Sequence, residues 1–141
     1  MEFDFLVPID NEIIDYKNHL SSQHIGGVMA LHTDDAFPDL SEVKIALVGV
    51  LENRGDEGVA TVVDLTSVRK SLYGLCMGNW KMGIADLGDI LAGNSTMDTY
   101  FAVKKVVASL IKKGIVPIVI GGSQDLTYAL YRAYDELEQM V

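Results

Sequence analysis

Basic residues are scarce in this chain: 11 Lys and Arg stand against 20 Asp and Glu, for a net charge of −9 over 141 residues. That deficit excludes the broad cationic surface a nucleic-acid partner needs to displace counterions. It disfavours an anionic membrane surface for the same reason. Cysteine is reduced to Cys76, so no internal disulfide can form and nothing points to an oxidising compartment. The opening residues, Met1 to Phe5, carry two acids and no basic stretch, which is not how a secretory signal begins. No apolar run approaches the ~20 residues that span a bilayer. The expected location is therefore cytoplasmic. In that setting the sequon Asn94-Ser95-Thr96 and the tripeptide Arg54-Gly55-Asp56 carry no function. Low-complexity tracts and internal repeats are also missing.

What is present reads as one globular domain, 49% apolar and 22% charged, with a moderate core. Residues 1–42 are the least regular part and read as an N-terminal arm. Within it Asp10 to Leu20 suggests a short helix, and Gly26-Gly27 and the acidic segment from Thr33 to Pro38 break the pattern. Regular structure is expected across 43–141. Ile45 to Val50 is apolar without alternation, as in a strand of a parallel sheet buried on both faces. Leu65, Val68, Leu72 and Leu75 fall at helical spacing, with Asp64 or Thr66 placed to cap the helix. Met82 to Leu87 reads as a second strand ended by Gly88-Asp89. Ser95 and Asp98 form a capping-box pattern before the stripe Val103, Val106, Val107, Leu110 and Ile111. Gly114 is placed to close that helix. Pro117 to Ile120 reads as a third, buried strand, and Gly121-Gly122-Ser123 as a turn into a last helix bearing Leu126, Ala129, Leu130, Ala133 and Leu137. Three strands alternating with three helices predict an α/β fold with a mostly parallel sheet.

In such a sheet, function sits at the carboxyl ends of the strands. Three segments qualify: Glu52 to Gly58, Asp86 to Asp89, and Gly121 to Asp125. The acids Glu52, Asp56 and Glu57 read first as solvated loop charges, and Asp86 to Asp89 as a strand-ending turn rather than a metal site. The Gly121-Gly122-Ser123-Gln124-Asp125 turn lets backbone approach a ligand, yet it is neither a P-loop nor a dinucleotide turn. Ser123 as a helix cap accounts for it. His19, His24 and His32 fall in the arm and read as surface or packing residues.

The segment "PIVIGGSQDLTYAL" resembles the strand and Gly-Gly-Asp-His-Ser turn of the ureohydrolase family, the arginase, agmatinase and formimidoylglutamase group. "KIALVGVLENRG" resembles that family's first strand and loop, and "SVRKSLYGL…IADLGDI" its helix and Asp-Leu-Gly-Asp strand. The three stretches occur in the family's order and cover residues 43–137, and the irregular arm is most similar to that of formimidoylglutamase-like members. The resemblance implies a three-layer α/β/α arginase-like fold, present here in its first strands and helices only. It also implies a manganese pair that generates a hydroxide for attack on a guanidino or formimino carbon. The family's first metal-binding histidine corresponds to Gln124, a poorer ligand for a transition metal. The family's Asp-x-His-x-Asp and Asp-x-Asp segments do not occur in the sequence.

The expectation is thus the N-terminal portion of a ureohydrolase-like hydrolase, inactive by itself, with no catalytic residue assigned and no manganese bound. A non-catalytic arginase-fold relative serving binding or assembly is the alternative, which Gln124 favours. A self-standing flavodoxin-like regulatory domain is a third reading, disfavoured because the strand-end aspartates do not cluster as in a receiver. In the family the 117–120 strand is central, so here its outer edge should lie open. A homodimer or larger homo-oligomer, or the arm folded over that edge, is expected to cover it.

Overall fold

The computed structural model describes residues 2–56, 63–79 and 81–137. Glu57 and Gly58 of the first candidate loop lie outside the described residues, as do the last residues of the expected domain. In chain order the elements are β1 (Leu6–Val7), α1 (Asn11–Asn18), α2 (Ile25–Val28), β2 (Ala30–Leu31), β3 (Val43–Leu51), α3 (Thr66–Tyr73), β4 (Gly83–Leu91), α4 (Thr96–Lys112), β5 (Val116–Ile120) and α5 (Leu126–Glu136).

The five strands form one sheet, ordered β1-β4-β3-β5, with β2 also pairing β4. β3 runs parallel to both β4 and β5. It is the central strand, and Ala46, Val48 and Val50 are inaccessible to solvent. These side chains face α4 and α5, where they pack with Val103, Val106 and Leu126. Leu47, on the opposite face, packs with Ile13, Ile25 and Tyr73 of α1–α3. Two helical layers thus enclose the sheet, an α/β/α sandwich.

Local chemistry sets the α4 boundaries. The Ser95 hydroxyl accepts from the Asp98 amide, while the Asp98 carboxylate accepts from the Ser95 amide at 2.8 Å. At the other end Gly114 donates to the Ile111 carbonyl and Ile115 to that of Leu110, the paired bonds of a Schellman closure.

Four expectations need correction. Among the described residues the sheet has five strands rather than three, because the segment read as an irregular arm supplies β1 and β2. Both pair with β4, on the side of the sheet away from β5, so the arm does not cover residues 117–120. Second, Gly88-Asp89 does not end β4. Between Leu47↔Asp86 and Gly49↔Asp89 the β4 strand has one residue more than β3, a bulge at which Gly88 takes φ +88°.

The third correction concerns α3: Val68 and Leu75 are exposed, and its buried positions are Arg69 and Tyr73 behind Leu65. Fourth, β5 is not buried on both faces. β3 is its only neighbour among the described strands, and Val116 and Ile118 are exposed.

Candidate functional site

The parallel strands β3, β4 and β5 deliver their following segments to one end of the sheet. After β3 comes Glu52, which was expected to be a solvated loop acid and is instead fully buried. Its carboxylate accepts from Arg54 Nε at 2.9 Å, from Arg54 Nη2 at 2.6 Å and from the Thr99 hydroxyl at 2.8 Å. Those bonds, the Arg54 side chain foremost, outweigh burial and hold the Glu52 pKa down to about 2. Arg54 then donates to the Asn94 and Gly93 carbonyls beyond β4 at 3.1 and 2.7 Å. The Glu52 main-chain carbonyl accepts from the Ser123 amide at 2.8 Å. One residue thus ties together the segments that follow three strands.

The turn after β5 has φ of +85° at Gly121 and +76° at Gly122. Ser123 does not cap α5. It is buried, and its hydroxyl lies 3.3 Å from the Glu52 carbonyl as donor, while Asp125 holds the cap position without a side-chain capping bond. Gln124 is exposed at this end of the sheet. The next residue, Asp125, accepts a hydrogen bond from the Tyr100 hydroxyl. Burial works to raise the Asp125 pKa, but bonds from Ser123 and Tyr100 leave it below the usual value. The same bond to Asp125 pushes Tyr100 up to about 12.

A second polar cluster lies across the sheet under α3. Arg69 Nε and Nη2 donate to the two oxygens of Asp86 at 2.8 and 3.1 Å, and Arg69 Nη1 sits 2.8 Å from Asp89 Oδ1. Tyr73 donates to Asp86 at 2.7 Å. Residues three apart on a regular strand face opposite sides. The bulge at Gly88 cancels that alternation and brings both aspartates onto Arg69. Burial raises the pKa of Tyr73 and of Asp89. A cleft of about 380 Å³ opens beside the cluster, lined in part by Asp10, Glu12, Asp64, Arg69 and Asp89.

The sequence reading missed Arg69 and Tyr73. Their signal was the spacing Leu65, Arg69, Tyr73 along one face at α3, together with the acids Asp86 and Asp89 inside an otherwise apolar strand. The histidines remain apart from both clusters: His32 Nδ1 bonds the Leu87 carbonyl at 2.9 Å, His19 bonds within α1, and His24 contacts Ser21.

Manganese does not fit the described residues. Gln124 offers a neutral amide, Asp125 turns to Tyr100, and Glu52 is taken up by Arg54 and Thr99. Among the described residues no group of three or more His, Cys, Asp or Glu is placed to hold a metal ion. No helix among them is long and apolar enough to cross a membrane.

No protein-family model matches the chain, and no curated protein matches it. Among solved structures it is similar to the agmatine ureohydrolase of Thermoplasma volcanium, with a TM-score of 0.53 and 20% sequence identity over 85% of this chain. The chain spans 41% of that protein's length. The likeness establishes the fold: an α/β sheet of the ureohydrolase, arginase-like kind.

Proposed function

We propose that this chain is the N-terminal part of a ureohydrolase-like hydrolase acting on linear amidine or guanidine C–N bonds in the cytoplasm, and that it does not catalyse the reaction alone. The observation carrying this reading is the shared fold, together with a Gly-Gly turn that puts Gln124 at the carboxyl end of a parallel sheet. The open β5 edge suits it, since Val116 and Ile118 lie where further strands of a larger sheet would add. Within this part of the molecule Glu52 and Arg54 act as positioning residues that fix the loops around the site. The alternative is a non-catalytic relative, favoured by the amide of Gln124 and the commitment of Asp125 to Tyr100.

Assaying the purified chain with Mn²⁺ against arginine, agmatine and formimidoylglutamate tests the proposal. No urea release from arginine or agmatine, no formamide release from formimidoylglutamate and no near-stoichiometric manganese are expected. Tight manganese binding by the chain alone would overturn it. A polypeptide extended by downstream Asp-x-His-x-Asp and Asp-x-Asp segments should hydrolyse one of these substrates. Failure of that longer protein on all three would favour the non-catalytic relative.

A further inference from the structure

Glu52 and Arg54 are unequal partners. The Glu52 side chain is wholly buried, whereas that of Arg54 is 42% exposed. The acid belongs to the wall of the molecule, and the cation reaches in from outside. Two donors of the guanidinium meet two oxygens of the carboxylate, Nε to Oε1 at 2.9 Å and Nη2 to Oε2 at 2.6 Å. Nη2 also donates to the Gly93 carbonyl at 2.7 Å, and Nη1 to the Asn94 carbonyl at 3.1 Å. Four of the five N–H donors that a guanidinium carries thus meet an acceptor.

The acceptors are held in place by bonds that do not involve the Arg54 side chain. The Thr99 hydroxyl donates to Glu52 Oε2 at 2.8 Å and accepts from the Gly93 amide at 2.9 Å, which fixes the carboxylate against the 93–94 segment. Glu52 Oε1 accepts from the Arg54 main-chain amide at 2.9 Å, and the Glu52 carbonyl accepts from the Ser123 amide at 2.8 Å. Asn94 runs directly into the Ser95–Asp98 capping box of α4. Taking away the Arg54 side chain leaves this acceptor set standing around a carboxylate that burial makes costly to leave unpaired. The set lies beyond the carboxyl ends of β3 and β4, the edge at which open parallel sheets take up ligands.

We propose that Glu52, Gly93 and Asn94 form a receptor for a guanidinium or amidinium cation, filled in this structure by the chain's own Arg54. A small ligand bearing that group replaces the Arg54 fork, which leaves through the side it already exposes to solvent. The receptor demands both charge and planarity. A flat fork reaches both oxygens of one carboxylate and two successive carbonyls together, which the compact ammonium of a simple amine cannot do. The exchange also parts Arg54 from the segment after β4, so the ligand loosens the brace between those loops. No bond of the ligand is broken, and binding here stands apart from the hydrolysis proposed above.

Emptying the receptor tests it. Arg54→Ala removes the internal occupant, and Arg54→Met, which keeps an apolar stem, is run beside it in case the shorter side chain costs the fold. Methylguanidinium, titrated calorimetrically, should bind these variants and raise their thermal midpoints by at least about 3 °C at about ten times its dissociation constant. Urea has the planar shape without the charge and methylammonium the charge without the fork, and neither should move the midpoint. Adding Glu52→Gln to Arg54→Ala should abolish the response. The parent chain, whose Arg54 competes at high effective concentration, should bind methylguanidinium at least about tenfold more weakly than Arg54→Ala. No stabilisation of either Arg54 variant would overturn the proposal. So would an equal response to urea or methylammonium, undiminished binding after Glu52→Gln, or equal affinity in the parent chain.

Discussion

Arg69 and Asp86, 17 residues apart in sequence, meet as a doubly hydrogen-bonded ion pair with almost no access to water. The Asp86 carboxylate is further held by the Tyr73 hydroxyl at 2.7 Å and the Gly88 amide at 3.1 Å. Removing one partner of a buried pair leaves the other charge desolvated. Arg69→Ala should therefore destabilise the fold by about 3–5 kcal/mol, read as a lower urea midpoint. A loss under ~1 kcal/mol, the range of exposed pairs, would mean that water reaches the cluster.

Glu52 gives the fold an acid dependence whose sign is fixed by its depressed pKa. The stability it contributes is fully present above the ordinary glutamate value of 4.5 and is lost as pH falls toward its folded value of about 2. Urea midpoints of the parent chain should fall through that window, and those of Glu52→Gln should fall less steeply. Parallel slopes would place the acid sensitivity elsewhere.

At the start of α4, Ser95→Ala removes the hydroxyl that accepts from the Asp98 amide at 3.3 Å. The expected cost is about 1 kcal/mol, with amide exchange quickening first in residues 96–99. Uniform loss of protection along α4 would contradict a local capping role.

Gly88 and Gly114 both take positive φ, +88° and +71°, and a side chain at either meets backbone strain of roughly 1–2 kcal/mol. They differ in surroundings. A Cβ at Gly88 would lie 1.9 Å from the Val7 carbonyl oxygen, whereas at Gly114 nothing stands within 4 Å. Gly88→Ala should lower the thermal midpoint clearly more than Gly114→Ala, and equal losses would show that β1 yields to make room.

The parallel units from β3 to α5 were readable because their apolar periods are long and end in recognisable caps. The Ser95–Asp98 box and the stripe through Leu110 stand where the pattern put them. β1 and β2 could not be read the same way, since two residues carry no period. Gly88 has the look of a strand terminator but makes a bulge, a distinction settled only by the β3 register. Glu52 looked solvated because an acid beside Gly and Arg in a loop usually is. Its burial depends on Thr99, which lies 47 residues on. That Gln124 follows the last strand of the parallel set was legible from the turn, while the hydrogen bonds of Asp125 to Tyr100 and of Glu52 to Arg54 were not.

The pairing of both β1 and β2 with β4 has a bearing on aggregation. Fibrillar growth needs every added sheet to offer a fresh edge on its far side. On the β4 side of this molecule that edge is made by strands of two residues each, one antiparallel and one parallel to β4, a poor template for a further strand. Any copy that joined through β5 would therefore present nothing extendable beyond itself. Edge-to-edge misassembly should stop at two chains instead of propagating into fibres, even though no described strand covers the outer edge of β5.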